Sequence, residues 1–174
     1  GEVVAVGEGA RLPVGTRVMG GGAGAFAEYV AWPAAGLTPM PRDWSYPQGA
    51  AFFVQWFTAH GCLRTVGRLE RGEWALVHAA AGGVGTAAVR LAKHFGAHVI
   101  ATASTAEKLE RARALGADVL VNYAEDDFVA AVKDATGGKG ADLVLEMVGG
   151  ETFEKNFAAV RPFGRIVVYG SASA

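Results

Sequence analysis

Trp74-Ala-Leu-Val-His-Ala-Ala-Ala-Gly82-Gly-Val-Gly85-Thr-Ala-Ala-Val-Arg-Leu-Ala-Lys93 is the stretch whose reading decides the fold. The apolar run Trp74–Ala79 predicts a short strand, and the glycines predict a tight turn. Beyond them Val84, Ala87, Ala88, Leu91, Ala92 and Phe95 recur at helical spacing. A strand, a glycine turn and a helix in that order make an anion cradle. Gly82 lets the backbone approach a diphosphate, and Gly85 lets the helix pack closely on the strand. The helix start offers free amides and a partial positive charge. Ala80 stands where the first glycine of the usual dinucleotide pattern would be. A purely structural tight turn is the competing reading, and the alternating setting described next favours the cradle.

Downstream, strand and helix signals alternate. His98–Ala103 reads as a second strand. Ser104-Thr-Ala-Glu107 is a capping-box pattern that opens a helix running to Leu115, with Gly116 suited to its C-cap. Val119–Asn122, Asp142–Val148 and Arg165–Tyr169 read as three more strands, and Phe128–Ala135 and Thr152–Val160 as the helices between them. Five strands joined by four helical crossovers predict an α/β fold, a Rossmann-type doubly wound parallel sheet over residues 46–174. Upstream, Gln48–Phe53 and Phe57–Val66 read as helix, with Pro47 in a first turn. Residues 1–45 read as short β pieces, Val3–Val6, Arg17–Met19 and Phe26–Ala31, punctuated by glycine and proline.

With 174 residues the chain is long enough for one domain plus a piece. A net charge of −1, without a long run of like charges, gives no reason to expect nucleic acid or an anionic membrane as partner. No apolar run reaches spanning length; Ala50–Leu63 comes nearest and is interrupted by Gln55, Thr58 and His60. The single cysteine, Cys62, forms no internal disulfide, so the expected location is cytoplasmic. The first residue is Gly1, and the chain stops at Ala174 just after a strand. Both ends are read as those of an internal fragment of a longer protein.

A carboxylate roughly 20 residues past the glycine turn, at the end of the second strand, grips the ribose hydroxyls of NAD. Here that place holds Ala103 and Ser104. An acid would repel a 2′-phosphate, and its absence leaves room for one. Ser104 can donate a hydrogen bond to such a phosphate, Lys108 one turn on can supply charge, and Tyr123 can add a hydroxyl from the next strand. Taken singly, Ser104 is equally a helix cap, Lys108 a solvated surface residue and Tyr123 edge packing. Together with the missing acid they favour NADPH as cofactor.

His78-Ala-Ala-Ala-Gly-Gly-Val-Gly85, Leu91-Ala-Lys93, His98-Val-Ile-Ala-Thr-Ala103, Ala114-Leu-Gly-Ala-Asp118, Asp142-Leu-Val-Leu-Glu146 and Val148-Gly-Gly150 resemble the quinone oxidoreductases. These form the zinc-free, zeta-crystallin-like branch of the medium-chain dehydrogenases and reductases, and the resemblance covers nearly the whole chain. It implies that Glu2–Glu8, Val14–Val18 and Ala27–Val30 are the later part of a chaperonin-10-like β-barrel, placed as a partial domain over residues 1–45. It also implies cofactor contacts at Thr58, at Ala81, Gly82, Gly83 and Val84, at the 2′-phosphate site Ser104, Lys108 and Tyr123, and at Val148, Tyr169, Gly170 and Ser171. The bland readings are a helix hydroxyl for Thr58 and ordinary sheet residues for Val148 and Tyr169.

The resemblance implies hydride transfer from NADPH to a small-molecule quinone or an α,β-unsaturated carbonyl compound, with no catalytic residue nameable. It implies a homodimer for the full-length protein and an incomplete activity for the fragment. The family's zinc-binding relatives place a ligand where this chain has Val54-Gln55, neither a good zinc ligand, so no metal is expected. His60, His78, His94 and His98 lack ligand spacing and read as structural or surface residues, and Cys62 as a small buried hydrophobe. Two other readings stay open: a non-catalytic NADPH-binding module (redox sensor, structural or RNA-binding), and the enoyl-reductase module of a synthase.

Overall fold

The computed structural model describes residues 1–172. The chain divides into two compact units, Gly1–Gln55 and a second from Trp56 onward. In the first, β1 (Val18–Met19) pairs antiparallel with β2 (Thr38–Pro39), and Glu2 forms an isolated bridge to Arg17. The barrel expected over residues 1–45 is therefore not present: Val3–Val6 and Phe26–Ala31 are not strands. A strand exists only through its neighbours' hydrogen bonds. Val3 exchanges backbone bonds with Thr16 and Gly15, but Val4, Val6, Phe26 and Tyr29 stay exposed.

The two helical pieces expected around residue 55 are one helix, α1 (Tyr46–His60), which continues into a π-helical turn over Gly61–Val66. Pro47 lies in the first turn of α1, where its missing N–H costs nothing.

From Trp74 the order is β3 (Trp74–Val77), α2 (Gly83–His94), β4 (His98–Ala103), α3 (Ala106–Ala114), β5 (Val119–Asn122), α4 (Phe128–Ala135), β6 (Ala141–Glu146), α5 (Gly150–Ala159) and β7 (Val160–Val168). All five strands are parallel, in the spatial order β5-β4-β3-β6-β7. In-register pairs such as Leu76 with Ile100 and with Val144 set the sheet.

Side chains alternate across the sheet, and each set is buried under helices. Ala75, Val77, Val99, Ala101, Leu143 and Leu145 pack with Ala59 of α1, Leu63, Ala88 of α2 and Ala112 of α3. Leu76, Ile100 and Val144 face the other way and pack with Phe128 and Val132 of α4 and Ala159 of α5. Burial on both faces is why these strands read as continuous apolar runs rather than as alternating ones.

Two boundaries differ from the sequence reading for physical reasons. The N-cap of α3 is Thr105, whose hydroxyl accepts from the Lys108 amide at 3.3 Å, and not Ser104. β7 starts at Val160, five residues before Arg165, because Phe163 in a left-handed conformation (φ 61°) and Gly164 absorb a register shift between Ala141 and Leu143.

The junction of β3 and α2 leaves no space for a side chain at Gly85. An added Cβ would sit 2.3 Å from the Ala79 carbonyl oxygen and 2.7 Å from the Ala80 Cα, both backbone atoms. Gly85→Ala is expected to push α2 off the sheet and cost about 1–3 kcal/mol of overpacking. A lowered urea midpoint at unchanged slope is the measurement; an unchanged midpoint would show that the junction has slack.

Candidate functional site

The chain runs β3, β4, β5 toward one edge of the sheet and then returns to build β6 and β7 toward the other. The order reverses between β3 and β6. At such a switch point the loops after the two strands diverge to opposite faces and leave a crevice at the carboxyl ends of the strands. Every loop named below leaves that end of the sheet.

After Val77 the strand is broken by Ala79, which takes φ 48°. The Ala80 amide is tied to the Thr102 carbonyl at 3.0 Å, and Gly82 N–H turns back to Ala79 at 2.9 Å. Ala80, in place of the usual first glycine, buries its methyl group in the core, so the substitution costs the crevice nothing. Gly82 is the N-cap of α2 and supplies no capping side chain, and the first turn carries no acid. The amides of Gly83, Val84 and Gly85 therefore have no partner inside the helix. Gly82 and Gly83 are exposed at this end of the sheet.

Ser104 and Tyr123 continue β4 and β5 from the paired residues Ala103 and Asn122, and the Tyr123 amide donates to the Ala103 carbonyl at 3.2 Å. Lys108 reaches back one turn, its Nζ donating to Ser104 Oγ at 3.2 Å. Because Thr105 does the capping, the Ser104 hydroxyl is not consumed by the helix end. Serine, lysine and tyrosine are thus brought to one rim.

A cleft of about 430 Å³ adjoins Tyr123 and is lined also by His78, Glu125, Asp126, Asp127, Val148, Glu151 and Lys155. The acidic turn after Tyr123 was not singled out in the sequence. A second cleft, of about 300 Å³, lies over the ends of β6 and β7 between Glu146, Gly149, Gly150, Phe153, Val168, Gly170 and Ser171. Val148 is on the wall of the first cleft, and Gly170 and Ser171 are on the second. Tyr169 is half-buried, its amide bonded to the Glu146 carbonyl at 3.0 Å. Burial pushes its phenol up to about 12, with Cys62 and Glu146 adding to the shift, so it remains a protonated donor near neutrality. Burial also raises the Cys62 thiol, as suits a small core residue rather than a nucleophile. Thr58 is half-buried on α1 and is not among the residues lining either cleft.

Sequence reasoning took His78 one residue at a time and missed its partners. His78 is fully buried, with Nδ1 3.0 Å from Thr102 Oγ1 and Nε2 2.8 Å from Asn156 Oδ1. Asn156 Nδ2 in turn donates to Glu146 Oε2. The other oxygen of Glu146 accepts from the amides of Val148 at 2.5 Å and Gly149 at 2.8 Å. The available signal was a set of polar residues, His78, Thr102 and Glu146, at the ends of otherwise apolar strands.

Among the described residues no group of three or more His, Cys, Asp and Glu is arranged to hold a metal ion, and no helix is long and apolar enough to cross a membrane.

Comparison with known proteins identifies the family. The family described as zinc-binding dehydrogenase matches residues 83–174. The chain is 39% identical to a 2-haloacrylate reductase of a Burkholderia species over 86% of its own length and 46% of the relative. It is 44% identical to NorB of the spectinabilin polyketide synthase system of Streptomyces orinoci, over 91% of its length and 7% of that protein. The crystal structure of Escherichia coli quinone oxidoreductase complexed with NADPH superposes with a TM-score of 0.77 at 37% identity, covering 81% of this chain and 43% of that one. The chain thus spans about half the length of the two reductases and a small part of the synthase.

The buried imidazole carries a consequence for acid stability. Burial lowers the pKa of His78 below its ordinary 6.5, outweighing the opposing pull of the Asn156 hydrogen bond and of Glu146. The unfolded chain therefore takes up a proton before the folded one does, and stability falls as pH drops below about 6.5 toward the folded value. Denaturant titrations between neutral pH and pH 5 are expected to show this loss, and His78→Gln, which cannot titrate, should flatten it. An equal acid slope in both proteins would remove His78 as its source.

Proposed function

The chain belongs to the zinc-binding dehydrogenase family, and on that premise we propose that it is the cofactor-binding part of an NADPH-dependent reductase. The acceptor is a quinone or the C=C bond of an α,β-unsaturated carbonyl compound. The observation that carries the choice of cofactor is the pair Lys108–Ser104 at the end of β4, in the place where an NAD-binding protein presents a carboxylate.

The residues present fit the cofactor. The amides at the start of α2 would receive the diphosphate; the exposed, side-chain-free Gly82 and Gly83 leave the backbone open to it, and Gly85 seats the helix on the turn after β3. Ser104 and Lys108 meet a 2′-phosphate, with the exposed Tyr123 hydroxyl as a third donor. By the resemblance, Val148, Tyr169, Gly170 and Ser171, at the ends of β6 and β7, would flank the nicotinamide side, and Thr58, which lines neither cleft, would contact it from α1. When bound, the reduced nicotinamide supplies the hydride. The chain's own part is to orient that ring and exclude water. The substrate classes follow the relatives: one is named for reducing a haloacrylate, the other for a quinone.

The reaction is proposed to be zinc-independent despite the family's name. Val54 and Gln55 stand at the position of a zinc ligand, and neither is a good one. A second reading, the enoyl-reductase module of a synthase, is favoured by the identity with NorB. The two share cofactor and chemistry and differ in the length of the parent protein.

Two measurements test the proposal. The intact protein is mixed with NADPH and a panel of quinones and enones; failure to oxidise NADPH with any of them overturns the activity. In fluorescence titrations, Lys108→Ala is expected to raise the Kd for NADPH about tenfold or more, the usual worth of a charged hydrogen bond, and to leave NADH binding unchanged. Equal weakening of both cofactors would remove the 2′-phosphate assignment.

A further inference from the structure

We propose that the buried chain of hydrogen bonds Thr102–His78–Asn156–Glu146 is a positioning device that holds the turn Met147–Gly149 against the cofactor, with Asn156 as its positioning residue. The inference rests on the reading of the protein as an NADPH-dependent reductase and extends it to residues that lie outside the phosphate contacts.

The four side chains come from four elements: β4, the turn after β3, α5 and β6. All four are fully buried. Their bond directions are forced from one end. The Glu146 carboxylate has only acceptors to offer, and it receives three N–H groups: Val148 and Gly149 on Oε1, and Asn156 Nδ2 on Oε2. With its amide nitrogen committed there, Asn156 presents Oδ1 to His78, which must carry its proton on Nε2. Burial keeps the ring neutral, so Nδ1 is an acceptor and takes the Thr102 hydroxyl proton. One arrangement of donors satisfies every atom, which makes the chain rigid in orientation as well as in place.

The turn it holds is the wall shared by the two clefts. Val148 and His78 line the first, Gly149 and Glu146 the second. Gly149 has φ 83° and ψ −166°, a conformation that only glycine adopts readily. The Ala172 amide donates to the Met147 carbonyl at 3.0 Å and the Phe153 amide to the Gly149 carbonyl at 3.3 Å, while the two bonds to Glu146 hold the turn by its own amides. Removing Asn156 strips Oε2 of its hydrogen-bond donor in a buried place, and the carboxylate is expected to swing toward a cleft, carrying the Val148 and Gly149 amides with it. The phosphate contacts lie on α2 and α3 and would not follow. The expected defect is therefore in the orientation of the reacting end and not in cofactor affinity.

The test uses the intact protein with Asn156→Leu and Asn156→Ser, both read per folded molecule. NADPH affinity should stay near that of the parent, while single-turnover hydride transfer to a quinone falls by about tenfold or more, as misplacement of reacting atoms does. Amide exchange at Val148 and Gly149 should accelerate in both variants. A core fastener without a positioning role would lower the melting temperature and leave the transfer rate per folded molecule at the parent value, and that result overturns the proposal. If both variants fail to fold, nitrogen NMR of the parent decides: His78 protonated on Nε2 with slow Val148 and Gly149 amides is required, and the Nδ1–H tautomer or fast exchange at those amides overturns it. A parent that neither binds nor oxidises NADPH defeats the functional reading instead, and the NMR observations still report separately on the chain of bonds.

Discussion

The close approach of α2 to the turn after β3 is the constraint on which the rest depends. Gly85 lies against backbone atoms of Ala79 and Ala80 with no room for a methyl group. That contact seats the helix with its first amides at the carboxyl end of the sheet, over the reversal between β3 and β6. A helix start set one side chain further out would point its partial positive charge past the crevice. The left-handed Ala79 and the tie from Ala80 to Thr102 fix the same turn from the strand side. Backbone geometry alone thus builds the corner proposed to bind the diphosphate, and side chains are left for selectivity.

The proposed selectivity for the cofactor lies one strand away, where β4 ends at Ala103 and Ser104 and Thr105 lead into α3. The shift of the cap from Ser104 to Thr105 is small in the chain but decides what the serine does. A capping hydroxyl would be turned into its own helix; this one faces Lys108. The acids of the turn after Tyr123 line the first cleft, together with Lys155. The proposed 2′-phosphate site needs only the local charge of Lys108, which is compatible with a net charge of −1 for the whole chain.

Much of this was legible in the sequence where local and long-range signals coincide. His98–Ala103, Val119–Asn122 and Phe128–Ala135 are found at the residues read from the chain, because short apolar strands with turn signals on both sides have little freedom of boundary. Legibility failed where structure depends on partners. Val3–Val6 and Phe26–Ala31 have strand composition, yet composition does not supply a neighbour to bond with. The last strand reads from the sequence as Arg165–Tyr169, whereas parallel pairing with β6 carries β7 from Val160 across Pro162, Phe163 and Gly164 as a bulge. The His78 chain was invisible for a related reason: its members are 24, 78 and 10 residues apart along its successive links, and no local pattern joins them.

That separation has a functional logic. Affinity for a dinucleotide comes mostly from phosphates, which a helix start and a lysine can hold at the rim with partly exposed groups. Orientation of the reacting ring is a different task, since small displacements that barely change binding change the rate steeply. A rim exposed to water is a poor place to build such precision, because water competes for every hydrogen bond. The interior is a good one, since a satisfied polar chain there has no alternative partners. On the proposed reading, phosphate recognition falls to α2 and α3, and the buried, directionally unique chain lies behind the β6–α5 turn. Such a division would let a cofactor be exchanged at one end without loosening the end proposed to carry the chemistry.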